Sequence, residues 1–128
     1  MTDQPKLPPV KGGLTAYLTV DGAVKAAEFY KKAFAAELAM MQPPDEKGRT
    51  MHVHLYINCS SLMRSDAYPD QGHPWKEPQG FNLTLTVGDT DQWFDRAIAA
   101  GCTAIMPPQD MFWGDYYDGW LQRMVRNA

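Results

Sequence analysis

Cysteine is scarce: Cys59 and Cys102 are the only two in 128 residues, too few for a disulfide framework and without metal-ligand spacing. They read as reduced thiols that pack as small hydrophobes. No apolar run approaches the ~20 residues that a membrane-spanning helix needs. The stretch from Met1 to Lys11 is polar and proline-rich and lacks the apolar core of a secretion signal, so the expectation is a frayed lead-in on a cytoplasmic protein. Positive charge is also lacking. The formal net charge is -3 and Lys31-Lys32 is the one adjacent basic pair, which argues against nucleic acid or an anionic membrane as partner. There is no glycine-rich phosphate loop, nucleophile elbow or thiol motif, and no dinucleotide fingerprint on a strand-to-helix turn.

What is present is ordinary for one globular domain spanning 1–128: 45% hydrophobic and 21% charged residues. A chain of this length buries roughly two-thirds of its unfolded surface, enough for a core without staples. Leu14 to Val20 alternates apolar and polar, which predicts a half-buried strand. Asp21 is placed to cap a helix reaching about Ala36, with Ala26, Ala27, Tyr30, Ala33 and Phe34 as its apolar stripe. Glu37 to Met41 reads as a short strand. Met51 to Cys59 alternates again, and a turn over Asn58–Ser61 leads to a partner strand at Leu62-Met63. The prolines and glycines of Pro69 to Gly80 read as linker.

The pattern then starts again. Phe81 to Val87 alternates, Asp89 and Gln92 have capping-box spacing, and a helix runs on through Trp93–Ala100 to a stop at Gly101. Leu18-Thr19-Val20 matches Leu85-Thr86-Val87 at an offset of 67 residues. Phe29–Ala36 matches Trp93–Ala100 at 64, as Pro43-Pro44 matches Pro107-Pro108. Such a repeat predicts an α+β fold of two βαβββ modules: the first at 13–66, a linker at 67–80, the second at 81–128. The aromatic run Phe112 to Trp120 ends either in a two-residue hairpin at Asp118-Gly119 or without an eighth strand, so the last hairpin is expected to be short or incomplete.

The order and spacing of Tyr17-Leu18-Thr19-Val20-Asp21-Gly22-Ala23, Met51-His52-Val53-His54-Leu55, Leu62-Met63-Arg64-Ser65-Asp66 and Phe112-Trp113-Gly114-Asp115 resemble the vicinal-oxygen-chelate superfamily. That superfamily includes glyoxalase I, extradiol dioxygenases and bleomycin-resistance proteins, and the nearest likeness is to its PhnB-like branch. The resemblance implies curved sheets enclosing a cleft, with the helices outside. Leu14, Leu18, Val53, Leu55, Leu83 and Leu85 would then back the helices. Thr15, Tyr17, His52, His54, Tyr56, Asn82 and Thr84 would line the cleft with Trp113 as a wall, binding a small organic molecule in what is expected to be a homodimer. The metal ligands of relatives fall at Thr15, His54 and Asn82, and the last-strand Glu has no counterpart, because no Glu follows Glu77. Neutral oxygens are poor ligands for zinc or iron, so no cofactor is expected. The expectation is a small-molecule-binding protein without the usual metal centre. The alternative is a metal-dependent lyase, isomerase or dioxygenase holding a divalent ion at His54 in a substituted ligand set, with His52 two residues away on the same strand face.

Overall fold

The computed structural model describes residues 7–76, 80, 83–106, 109–110, 116–117 and 120–122, with side chains described as far as Ala104. Five elements make the first half: β1 (Ala16–Val20), α1 (Ala23–Phe34), β2 (Glu37–Met41), β3 (Val53–Ile57) and β4 (Ser60–Asp66). They form a curved, open sheet of order β1-β4-β3-β2. β1 runs parallel to β4, and the other neighbours are antiparallel. A two-residue turn joins β3 to β4, with Asn58 and Cys59 both left-handed at φ 46 and 67. That conformation matches the twist of the strands it connects.

α1 lies on one face of this sheet because its alanines recur at helical spacing. Ala23, Ala26, Ala27 and Tyr30 are buried against Val53 and Leu55, and Leu18 and Met41 pack at the margin. The helix starts at Gly22, whose φ of 95 suits glycine, and no side chain beside it supplies the cap. The Asp66 carboxylate at the end of β4 does so instead. Its Oδ1 accepts from the Gly22 and Ala23 N–H groups at 2.8 and 2.9 Å, and its Oδ2 accepts from Thr50 N–H at 2.8 Å. The cap expected from Asp21 is therefore delivered from another strand.

In the second half α2 (Thr90–Ala99) begins at Asp89, whose side chain accepts from Gln92 N–H at 3.1 Å. Gly101, at φ 114, ends the helix region close to Phe29, so the stop also lets the helices approach. Ala33, Ala97 and Cys102 are buried between α1 and α2, and Arg96 donates to the Lys32 carbonyl at 2.8 Å. Four short strands follow: β5 (Thr103–Met106), β6 (Gln109–Asp110), β7 (Tyr116–Tyr117) and β8 (Trp120–Gln122). β5 pairs with β8 and β6 with β7, both antiparallel.

The β5–β8 pairing repeats the β2–β3 register. Met40↔His54 corresponds to Met106↔Trp120, and Leu38↔Leu55 to Ala104↔Leu121, each with the register shift at the same place. The common offset is 66 residues; Pro107-Pro108 lie outside the described residues. β8 pairs with β5 and β7 with β6, and the turn expected at Asp118-Gly119 lies outside the described residues.

Three further expectations are corrected. Residues 83–87 carry no strand, and Leu83 is 55% exposed instead of backing α2. Leu14 precedes β1 and is 97% exposed, because the chain bends at 12–14 before the ladder begins. The linker contains a short 3-10 turn at Pro69–Gln71, closed by a bridge between Tyr68 and His73. Among the described residues no helix is long and apolar enough to cross a membrane.

Candidate functional site

With Val53 and Leu55 under α1, period two sends His54 and Tyr56 to the opposite face. The ladder registers align Tyr17, Met63, His54 and Met40 as a row across all four strands of that face. At one end of the row the Tyr17 hydroxyl donates to the Met51 carbonyl at 3.0 Å and lies 3.1 Å from His52 Nδ1. A hydroxyl has one proton, so with Met51 taking it the His52 Nδ1 donates and its Nε2 keeps a free lone pair.

His54 sits deeper, at 2% exposed, with its Nε2 2.7 Å from Ser61 Oγ and its ring edge-on to Tyr56. Ser61 Oγ also accepts from Lys11 N–H at 2.8 Å, which leaves its proton to point at His54. Burial, and then the neighbouring His52, hold His54 below its ordinary pKa of 6.5. A neutral imidazole accepting from Ser61 satisfies both observations.

At the His52 end the face opens into a cleft of about 550 Å³, bordered by Gln42, Arg49, Met51, His52, Tyr68 and Gln71. One wall is fixed by Arg49. Its Nε donates to Asp45 Oδ2 at 3.0 Å, its Nη1 donates to Asp70 Oδ1 at 2.7 Å, and its guanidinium stacks 4.4 Å from the Tyr68 ring centre. The Arg49 backbone N–H and then its side chain hold Asp45 below the usual carboxylate range. The Arg49 side chain does the same for Asp70, and the two carboxylates hold Arg49 charged.

Of the residues expected to form a site, Tyr17, His52, His54 and Tyr56 thus share a face. Thr15 is half-buried just ahead of β1, and Thr84 is exposed and outside any strand. Asn82 and Trp113 lie outside the described residues. Arg49, Tyr68, Gln71, Ser61 and Lys11 were not anticipated. Only the polar turn at Asp45–Gly48 marked that end of the sheet beforehand, and it does not indicate which charges meet there.

Two imidazoles stand on this face, and the Asn82 position of the expected ligand set lies outside the described residues. His52 Nδ1 is engaged by Tyr17 and His54 Nε2 by Ser61, and a neutral threonine stands at the first ligand position. Among the described residues no three His, Cys, Asp or Glu side chains converge.

An open βαβββ sheet, its helix on one face and a polar, aromatic other face, with the β2–β3 register repeated in β5–β8, defines a glyoxalase-like α+β fold. The chain belongs to the glyoxalase/bleomycin resistance protein/dioxygenase superfamily, whose family model matches residues 13–120. It is similar to the uncharacterised protein Mb0911c of Mycobacterium bovis, at 38% identity over 115 residues, covering 84% of this chain and 74% of that one. A superfamily member from Sphaerobacter thermophilus shares the fold with a TM-score of 0.64 at 21% identity, over 91% of this chain and 90% of that one. A PhnB protein from Bacillus cereus shares it at 0.57 and 20%, over 86% and 90% of the two chains.

Proposed function

We propose that this chain binds a small organic molecule on the sheet face opposite α1, as a PhnB-like member of its superfamily that works without the superfamily's metal. The observation that carries the reading is the Tyr17–His52 pair, which presents a fixed hydrogen-bonding edge at the mouth of the 550 Å³ cleft. That volume lies within the range of small-molecule sites, and Met51 and Tyr68 add apolar wall between Gln42, His52 and Gln71. At the cleft end these groups suit an uncharged or weakly polar hydrogen-bonding edge, since Arg49 is already neutralised there by Asp45 and Asp70.

The test is a thermal-shift screen of a fragment panel against the wild type and His52→Ala. A hit at a hundredfold excess over Kd stabilises the wild type by about 2.7 kcal/mol, and that gain is expected to fall away in His52→Ala. Hits that ignore the substitution, or a panel without hits, refute the reading. Titration with zinc or manganese addresses the metal: stoichiometric binding abolished by His54→Ala would favour the enzyme alternative instead.

A further inference from the structure

The amino-terminal segment Leu7–Lys11 lies across the same face, away from the His52 cleft. Tyr56 Oη donates to the Pro9 carbonyl at 2.6 Å. Lys11 N–H donates to Ser61 Oγ at 2.8 Å, and Ser61 N–H donates to the Lys11 carbonyl at 3.0 Å. The Lys11 ammonium stands 4.1 Å from the centre of the Tyr56 ring. Beneath these contacts Ser61 rests on His54.

Two features separate this strap from a structural tether. Its larger apolar side chains stay in water, with Leu7 72% and Val10 54% exposed and only Pro8 half-buried, so it is held mainly by backbone groups and one cation. A segment held in that way opens at little cost. Its anchors are polar groups on the sheet face, a phenol, a hydroxyl with its own N–H, and an aromatic ring, and together these form a recognition set. Carbonyl oxygens go to Tyr56 Oη and Ser61 N–H, an amide N–H goes to Ser61 Oγ, and a cation goes over the Tyr56 ring.

We infer that the strap occupies, within its own chain, a second ligand subsite made by Tyr56, Ser61 and His54, and that the molecule displacing it is a small amide-bearing organic cation. The inference deepens the proposed function and rests on that reading in taking this face as the binding face. Lys11 is then a stand-in for the ligand's cationic end.

The probe is the blocked tripeptide acetyl-Pro-Val-Lys-methylamide, which copies the strap's own contacts. In the wild type the tethered strap competes at a local concentration of roughly millimolar order, so the subsite is masked. Full-length Lys11→Ala removes the cation but leaves every group on the sheet in place. Followed by heteronuclear NMR, the probe is expected to shift the Tyr56 and Ser61 signals saturably and to bind Lys11→Ala about two- to fivefold more tightly than the wild type. A norleucine analogue of the same shape without charge is expected to bind more weakly by a similar factor. Equal binding of the two probes, or unmoved Ser61 and Tyr56 signals in Lys11→Ala, would overturn the inference. So would Lys11 and Ser61 amides that exchange with solvent only on global unfolding. The two readings fail separately, because fragments in the cleft report at His52 and Tyr68 while the tripeptide reports at Ser61.

Discussion

The carboxylate of Asp66 is 5% exposed and accepts from three backbone N–H groups, two at the start of α1 and one at Thr50, which is itself fully buried. Deleting it strands those donors away from water, so Asp66→Ala is expected to cost about 2–4 kcal/mol in urea unfolding, and Asp66→Asn less because one oxygen remains. Arg64 presents the opposite case. It is fully buried, stacked 3.8 Å from the centre of the Tyr30 ring and donating Nη2 to the Tyr30 hydroxyl, while its Nε and Nη1 have no partner among the described residues. Burial pushes its pKa down to about 9, still charged at neutral pH. Arg64→Met is therefore expected to stabilise the chain by about 1–3 kcal/mol, and a loss in the same assay would show that the charge is compensated. His54 supplies a pH dependence of definite sign. Its folded-state pKa lies below the ordinary 6.5, so just under that pH the unfolded chain binds more protons. Stability is expected to be full above pH 6.5 and to fall on acidification, and His54→Gln should flatten that part of the curve.

Local patterning explains why some elements were legible and others not. The alanine stripe of α1 and the alternation in β3 are written within single elements, and the same period of two placed His52, His54 and Tyr56 on a common face. The α1 cap comes from 43 and 44 residues away, and Arg49 meets Asp70 across 21 residues. No spacing rule reaches that far, which is why Asp21 was read as the cap and the Arg49 wall of the cleft was not read at all. The strap was taken for a frayed lead-in because its anchors are backbone amides, which carry no sequence signature. The β3–β4 turn offers a test at this scale. Cys59 holds φ 67, a region costly for any residue with a Cβ, so Cys59→Gly is expected to raise stability by about 1 kcal/mol in chemical denaturation. Asn58→Gly should not match it, because the Asn58 amide donates to the Thr86 carbonyl at 2.6 Å and ties the turn to the second half.

Across the whole molecule, the order β1-β4-β3-β2 gives β1 a single ladder partner, β4. In the second half the offset of 66 equates β5 with β2 and β8 with β3, so the counterpart of β4 falls after β8, beyond the described residues. Residues 83–87 occupy the position of β1, and they keep its alternation, with Thr84 and Thr86 exposed and Leu85 and Val87 half-buried, but among the described residues they have no ladder. An apolar/polar period is thus not sufficient for a strand, since the hydrogen bonds must come from a neighbour. For a single chain, hydrogen exchange at 83–87 is expected to run orders of magnitude faster than at Val53–Ile57, which pair on both sides. The homodimer implied by the resemblance makes a different demand. If a second copy lends a strand to 83–87, protection there must rise with protein concentration, whereas a dimer formed elsewhere leaves those amides fast at every concentration.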